Sequence, residues 1–299
     1  YSLPGVIDQL LHLVQFCKAV NIPFEVYAFT STNQAFRVKQ DEHGSALPGE
    51  TKRVNELRKR FKDGSLDMNS LCMPLLVSSE LKKSEFKLAM HHLFCTMLDT
   101  WDQDTIKSPH ENLGSTPLNQ ALVVSHSLIR KFKVKHNVEK MNFVCLSDGD
   151  TNRMTVYQDR KLEDNKVRTG SEWHGSMNIV CDGKIVPCRD RGKLATQDLL
   201  SNIKKRYNTT NLGFFIADDI RHFHNRIYSA MQSANNKTDE YVDYYSDEYQ
   251  NLKKNSTAEY RKNKCVVKEN TLGYDEYYVL KNGNTLNTEE DSNLDHLDI

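Results

Sequence analysis

Residues Phe143-Val144-Cys145-Leu146 form an apolar, β-leaning run that stops at Ser147-Asp148-Gly149-Asp150. A short continuous apolar run bounded by turn residues is the pattern of a strand buried on both faces, as in a parallel sheet. Such a strand needs layers above and below it, and its carboxyl end delivers the acidic loop to a rim. In open α/β sheets ligands sit outside the carboxyl ends of the strands, which makes Asp148 a candidate by position. Asp-Gly after a strand is equally ordinary turn chemistry, so Asp148 needs a partner before it counts as a site.

The flanking segments supply those layers. Val6, Ile7, Leu10, Leu13, Val14, Cys17 and Val20 recur at helical spacing, and Asn21-Ile22-Pro23 ends that helix. Phe24 to Phe29 alternates as a strand does. A basic helical segment is expected over 54–62. The next helix has Ser84 as its cap and Phe86, Ala89, Met90, Leu93 and Met97 as its inner stripe. From Pro117 a further helix carries Leu118, Ala121, Leu122, Ser125, Ile129 and Phe132 on one face. Asn178–Cys181 and Lys184–Cys188 flank Asp182-Gly183, a hairpin signal. Residues 194–207 are predicted helical and Leu212–Ala217 a further buried strand, ending at Asp218-Asp219.

This order predicts an α/β fold of Rossmann-like type, with a mostly parallel sheet flanked by helices and a short β-hairpin insertion. Residues 1–230 are expected to form that domain, with a helical insertion over about 50–105 and a highly charged insertion over 150–175. Residues 231–299 read as a polar, Tyr-rich and acidic extension, partly disordered, with a docking strand near 273–280.

Composition removes whole classes of function. Lys+Arg and Asp+Glu both total 40 in 299 residues, so no net field points to nucleic acid or an anionic membrane. No apolar run approaches the length of a transmembrane helix. Seven cysteines without a Cys-x-x-Cys pair, an odd count, and no secretory signal read as a cytoplasmic protein. Cys181 and Cys188, flanking one turn, are the pair to check for a disulfide or a metal. The sequence contains no dinucleotide-binding glycine fingerprint, Walker loop, His-Glu-x-x-His or nucleophile elbow. His222-x-His224 has no third ligand at zinc spacing.

Two residues converge. Gly114-Ser115-Thr116-Pro117 opens a helix, where Thr116 serves either as a plain N-cap or as a hard-oxygen metal ligand. A helix start and a strand end 32 residues apart meet at one rim of a sheet, which pairs Thr116 with Asp148. Gly-Ser-Thr-Pro-Leu-x-x-Ala-Leu (114–122) followed by Phe-Val-Cys-Leu-Ser-Asp-Gly (143–149) resembles the von Willebrand factor A (VWA) domain family. That resemblance implies a metal-ion-dependent adhesion site that binds Mg²⁺ and includes Thr116 and Asp148. Residues 23–30, the insertion over 50–105 and the strand at Leu212 are similar to the VWA domain of the aerobic cobaltochelatase T subunit and its phage-encoded relatives. The likeness implies a MoxR-like AAA+ ATPase partner, possible metal-chelatase subunits, and a non-catalytic role in cobalt insertion for cobalamin biosynthesis or in a related remodelling machine. The family's first metal loop, Asp-x-Ser-x-Ser, does not precede the first helix here, and that loop with its strand is expected upstream of Tyr1. Two rivals stand beside this reading. One is a metal-dependent hydrolase, phosphoesterase or peptidase, with Asp148, Asp150 and Asp218 as metal ligands. The other is a structural α/β domain with a decayed metal site.

Overall fold

The computed structural model describes residues 3–31, 38–68, 71–98, 116–147, 151–162, 165–172, 176–189, 192–217, 224–225, 228, 245–263 and 265–281. Its centre is a four-stranded sheet built from β6 (Met141–Ser147), β11 (Thr209–Ala217), β12 (Cys265–Thr271) and β13 (Tyr274–Lys281). The strand order is β12-β13-β11-β6. β11 runs parallel to β6 on one side and to β13 on the other, while β12 returns antiparallel to β13. The protein is therefore mixed α/β, and the expectation of a mostly parallel sheet holds for this sheet alone. The remaining strands pair antiparallel.

Two helices cover the buried face of this sheet. α4 (Leu118–His136) contributes Leu118, Leu122 and Ile129, and α5 (Lys193–Tyr207) contributes Leu199, Leu200 and Ile203, all packed with Cys145, Phe215 and Val279. Full burial of a Leu or Ile side chain stabilises by about 1.5–3 kcal/mol each, so this layer dominates the core. Both helices stop on an asparagine in the left-handed conformation, Asn137 at φ 50° and Asn208 at φ 52°. Asparagine tolerates that region better than other non-glycine residues. The hairpin of β9 (Met177–Cys181) and β10 (Lys184–Cys188) packs on the same two helices through Ile179, Cys181, Val186 and Cys188.

A second core forms where α1 (Leu3–Ala19) and α3 (Lys83–Leu98) pack together over β1 (Glu25–Tyr27) and β5 (Leu75–Ser78). Ile7, Leu10, Val14, Val77 and Leu93 are its buried residues, and Phe24 meets Phe86 edge-on at 6.4 Å. Ser84 lies within α3 and is not its cap; instead the Lys82 amide donates to Glu85 Oε2 at 2.9 Å. Lys135 ties the two cores by reaching both Glu25, at 3.1 Å, and Glu80. Short β2 (Thr30–Ser31) pairs with β4 (Leu71–Cys72).

The two insertions meet each other. α2 (Glu50–Arg58) follows Gly49, whose φ of 81° turns the chain into the helix. After it, β3 (Leu66–Asp67) pairs with β7 (Thr155–Leu162), and β7 with β8 (Asn165–Glu172), so the charged insertion after Asp150 is a hairpin docked on the earlier one. Phe61 stacks on Tyr157 at 4.5 Å and 2°.

Beyond residue 230 the chain returns to the core. α6 (Asp247–Asn263) packs on β12, burying Tyr249, Ser256 and Tyr260, while Val266 and Val279 are fully enclosed. The boundary expected at 230 therefore does not bound the sheet, although the docking strand expected near 273–280 is there as β13. Cys181 sits opposite Lys184 and Cys188 opposite Met177, four positions apart along the hairpin, or about 13 Å at a strand's rise. Both cysteines are free, so the disulfide does not form. No helix among the described residues is long and apolar enough to cross a membrane.

Candidate functional site

The connections decide where the chemistry gathers. α4 leads into β6 through the short turn 137–140, and α5 leads into β11 through Asn208 alone. Each helix therefore runs back alongside its strand and starts at the strand's carboxyl end. Because β6, β11 and β13 are parallel, with Phe215 opposite Ser147 and Ala217 opposite Lys281, their carboxyl ends line one rim. Two helix N-termini accordingly stand side by side there, each with a partial positive charge of about half an electron. Such a rim favours anionic groups.

Hydrogen bonds fix the arrangement. The Asn152 amide donates to the Thr116 carbonyl at 2.9 Å, and the Asn119 amide donates to Thr151 Oγ1 at 3.2 Å. The chain leaving β6 thus returns to the start of α4 within a few residues. Asn119 also bridges the helices: its Nδ2 donates to the Gly192 carbonyl at 3.1 Å, and Thr196 Oγ1 donates to its Oδ1 at 2.6 Å. Gln120 Nε2 reaches the Asp67 carbonyl at 3.5 Å, joining the rim to the insertion. The Asp67 carboxylate in turn accepts from Thr155 and from Tyr157, at 3.2 and 3.3 Å. Burial, then the charge of Asp67, pushes the Tyr157 hydroxyl up to about 12, so it stays a donor.

Asn119 and Gln120 are fully enclosed in the first turn of α4. Gln120 Oε1 is a buried acceptor with no hydrogen-bond partner among the described residues. Sequence reasoning missed both, because amides in a first turn resemble ordinary surface residues. One signal was present: they interrupt the aliphatic stripe immediately after the Thr116-Pro117 start.

Of the two expected ligands, Thr116 stands at this rim, half-buried, with its carbonyl accepting from the Leu118 and Asn152 amides. It is not the N-cap of α4. The residue before the helix is Pro117, which makes no side-chain cap. Asp148 lies outside the described residues, as do Asp150 and Asp218; β6 is described to Ser147, the residue before Asp148. Among the described residues no three His, Cys, Asp or Glu side chains are grouped as a metal would need. The Thr116 hydroxyl is a hard oxygen, whereas Asn119, Thr151 and Thr196 are engaged with one another. His222 also lies outside the described residues, and His224 pairs with Thr257 Oγ1 at 3.0 Å.

Comparison with known protein families, with curated proteins and with solved structures gives no match.

Proposed function

We propose that this protein is a VWA-type, Mg²⁺-dependent interaction subunit, in which Thr116 and Asp148 hold the ion at the rim. Its partner would be a MoxR-like AAA+ ATPase, in a cobaltochelatase-like complex or a related remodelling machine. The observation that carries the reading is the return of the chain after β6 to the start of α4 at the bond between Asn152 and Thr116. The bond sets Asn152, four residues beyond Asp148 in sequence, against Thr116, and so supports the pairing of the two proposed ligands.

A bound Mg²⁺ would supply an open coordination position for a carboxylate oxygen. The chain's own residues prepare the place. Asn119 and Thr196 lock the two helix starts together, and the helix termini favour an anion at this rim. β6 pairs with β11 on one edge, and no described strand pairs with its other edge. A strand bearing the Asp-x-Ser-x-Ser loop, which the family resemblance implies, has that edge to occupy. The ATPase would carry the hydrolytic step.

Capture of a purified MoxR-like ATPase by the immobilised protein tests the proposal. Binding is expected with Mg²⁺, and is expected to be lost with EDTA and in Asp148→Ala. Binding indifferent to both would overturn the metal-bridged reading. Turnover of a phosphoester or peptide by the protein alone would favour the hydrolase.

A further inference from the structure

One stretch of this balanced chain is left with charge to spare. Arg58, Lys59, Arg60 and Lys62 fall within five residues where α2 ends, and Lys59, Arg60 and Lys62 are exposed. Elsewhere the chain sets its cations against carboxylates: Arg53 on Glu50 at 2.9 Å, Arg130 on Asp182 at 2.8 Å, Arg189 on Asp198 at 2.8 Å, and Lys204 on Asp275. Among the described residues no carboxylate pairs with Lys59, Arg60 or Lys62. A helix C-terminus carries a partial negative charge of about half an electron, which a single basic residue meets. Four exceed that need, and with Glu56 and Asp63 at the borders the segment still holds a surplus of cations.

The backbone under these charges is fixed. The Lys59 amide donates to the Asn55 carbonyl and the Arg60 amide to the Leu57 carbonyl, both at 3.1 Å, and buried Val54 anchors the helix. Phe61 stacks on Tyr157 at 4.5 Å, and the Gly64 amide donates to the Tyr157 carbonyl at 2.8 Å. A partner therefore meets the ridge without the cost of ordering the chain beneath it.

Size and sign set the partner's chemistry. Five residues span at most about 13 Å, and alternate side chains of an extended peptide recur about every 6.6 Å on one face, so two or three carboxylates cover the ridge. A nucleic-acid backbone needs a longer basic track. Exposed Glu56 and Asp63 border the ridge on either side and repel phosphates that run past it, and the chain as a whole carries no net charge.

We infer that residues 58–62 are a docking ridge for an acidic segment of a protein partner, engaged through Lys59, Arg60 and Lys62. The contact depends on charge and stands without the metal reading. Where the proposed function holds, the ridge gives the partner a second point of attachment beside the rim, because the chain running on from it meets Gln120 of α4 at Asp67.

The test uses the full chain in EDTA at low salt, so a failed metal site does not decide it. The probe is a fluorescein-labelled peptide of alternating Glu and Ser, with a Gln-Ser peptide and a single-stranded oligouridylate of equal charge beside it. Wild type is expected to bind the Glu-Ser peptide, with affinity falling as salt rises. Lys59→Ala, Arg60→Ala and Lys62→Ala together are expected to weaken binding at least about ten-fold. Lys131→Ala, Lys184→Ala and Lys254→Ala, which remove the same charge from exposed positions elsewhere, are expected to leave it within about two-fold. Should circular dichroism show the ridge variant unfolded, Lys59→Gln with Lys62→Gln takes its place, with an expected loss of at least about three-fold. Four results overturn the inference: no binding by wild type, equal affinity for the Gln-Ser peptide, equal losses in the ridge and control variants, or tighter binding of the oligouridylate than of the Glu-Ser peptide.

Discussion

His126 is fully enclosed in the middle of α4, and neither ring nitrogen has a hydrogen-bond partner among the described residues. Its ring meets Tyr207 edge-on at 5.7 Å. Burial first, and then the Arg206 guanidinium, hold its pKa down to about 4, against a smaller opposing pull from Asp182. The sign follows from linkage. Below about 6.5 the unfolded chain takes up a proton that the folded chain refuses until about 4, so stability falls as pH drops through that window. Urea denaturation at several pH values is expected to show this slope in wild type and to lose it in His126→Leu, which packs the same space without a titrating ring. Thiols report the same enclosure. Burial raises Cys145 and Cys188 to about 12 and Cys181 to about 11, so these three are expected to resist alkylation in the native state, while half-buried Cys17, Cys72, Cys95 and Cys265 react first. Gly213 is required for another reason: a Cβ there would lie 2.6 Å from Tyr277 and 2.9 Å from Tyr274. Gly213→Ala is expected to cost about 1–3 kcal/mol by overpacking, measured as a shift in the denaturation midpoint.

At the scale of elements, α4 and α5 are coupled through Asn119 and Thr196. Asn119→Ala would leave the buried Thr196 hydroxyl and the Gly192 carbonyl without this partner, at an expected cost of about 1–3 kcal/mol. Removing the same residue should also loosen the rim, so partner binding is expected to weaken more than in Leu199→Ala, which thins the core away from it. The elements differ in how openly the sequence announces them. α4, β6 and β11 were legible because their aliphatic residues keep a helical period or an unbroken apolar run. α6 was not, because its buried stripe is Tyr249, Ser256 and Tyr260 with half-buried Leu252, residues whose polar atoms hide the period. β7 and β8 read as a charged loop because their charged residues mask the few that anchor the hairpin, Val156 and Tyr157. At the site, Thr116 was legible as a helix start. Asn119 and Gln120 were not, since their burial comes from α5 and residue 67, far away in sequence.

The whole molecule is two cores joined by charge and backbone, with a rim where helices and parallel strands turn over together. Lys135 illustrates the joining, reaching Glu25 and Glu80, while a charge network around Asp182 braces the first core from within. Arg130 pairs with its carboxylate at 2.8 Å and Arg206 at 3.3 Å, and the Arg130 hydrogen bonds first hold the Asp182 carboxyl below its usual range. These contacts hold the hairpin turn to α4 and α5 and serve the scaffold. The proposed function rests on the rim. Its central claim is that Thr116 and Asp148 are ligands of one ion, and the most direct measurement is a calorimetric Mg²⁺ titration of the wild type, Thr116→Ala and Asp148→Ala. One ion per chain is expected in the wild type, with affinity reduced at least about ten-fold by either substitution. Equal Mg²⁺ affinity in all three proteins would contradict the account.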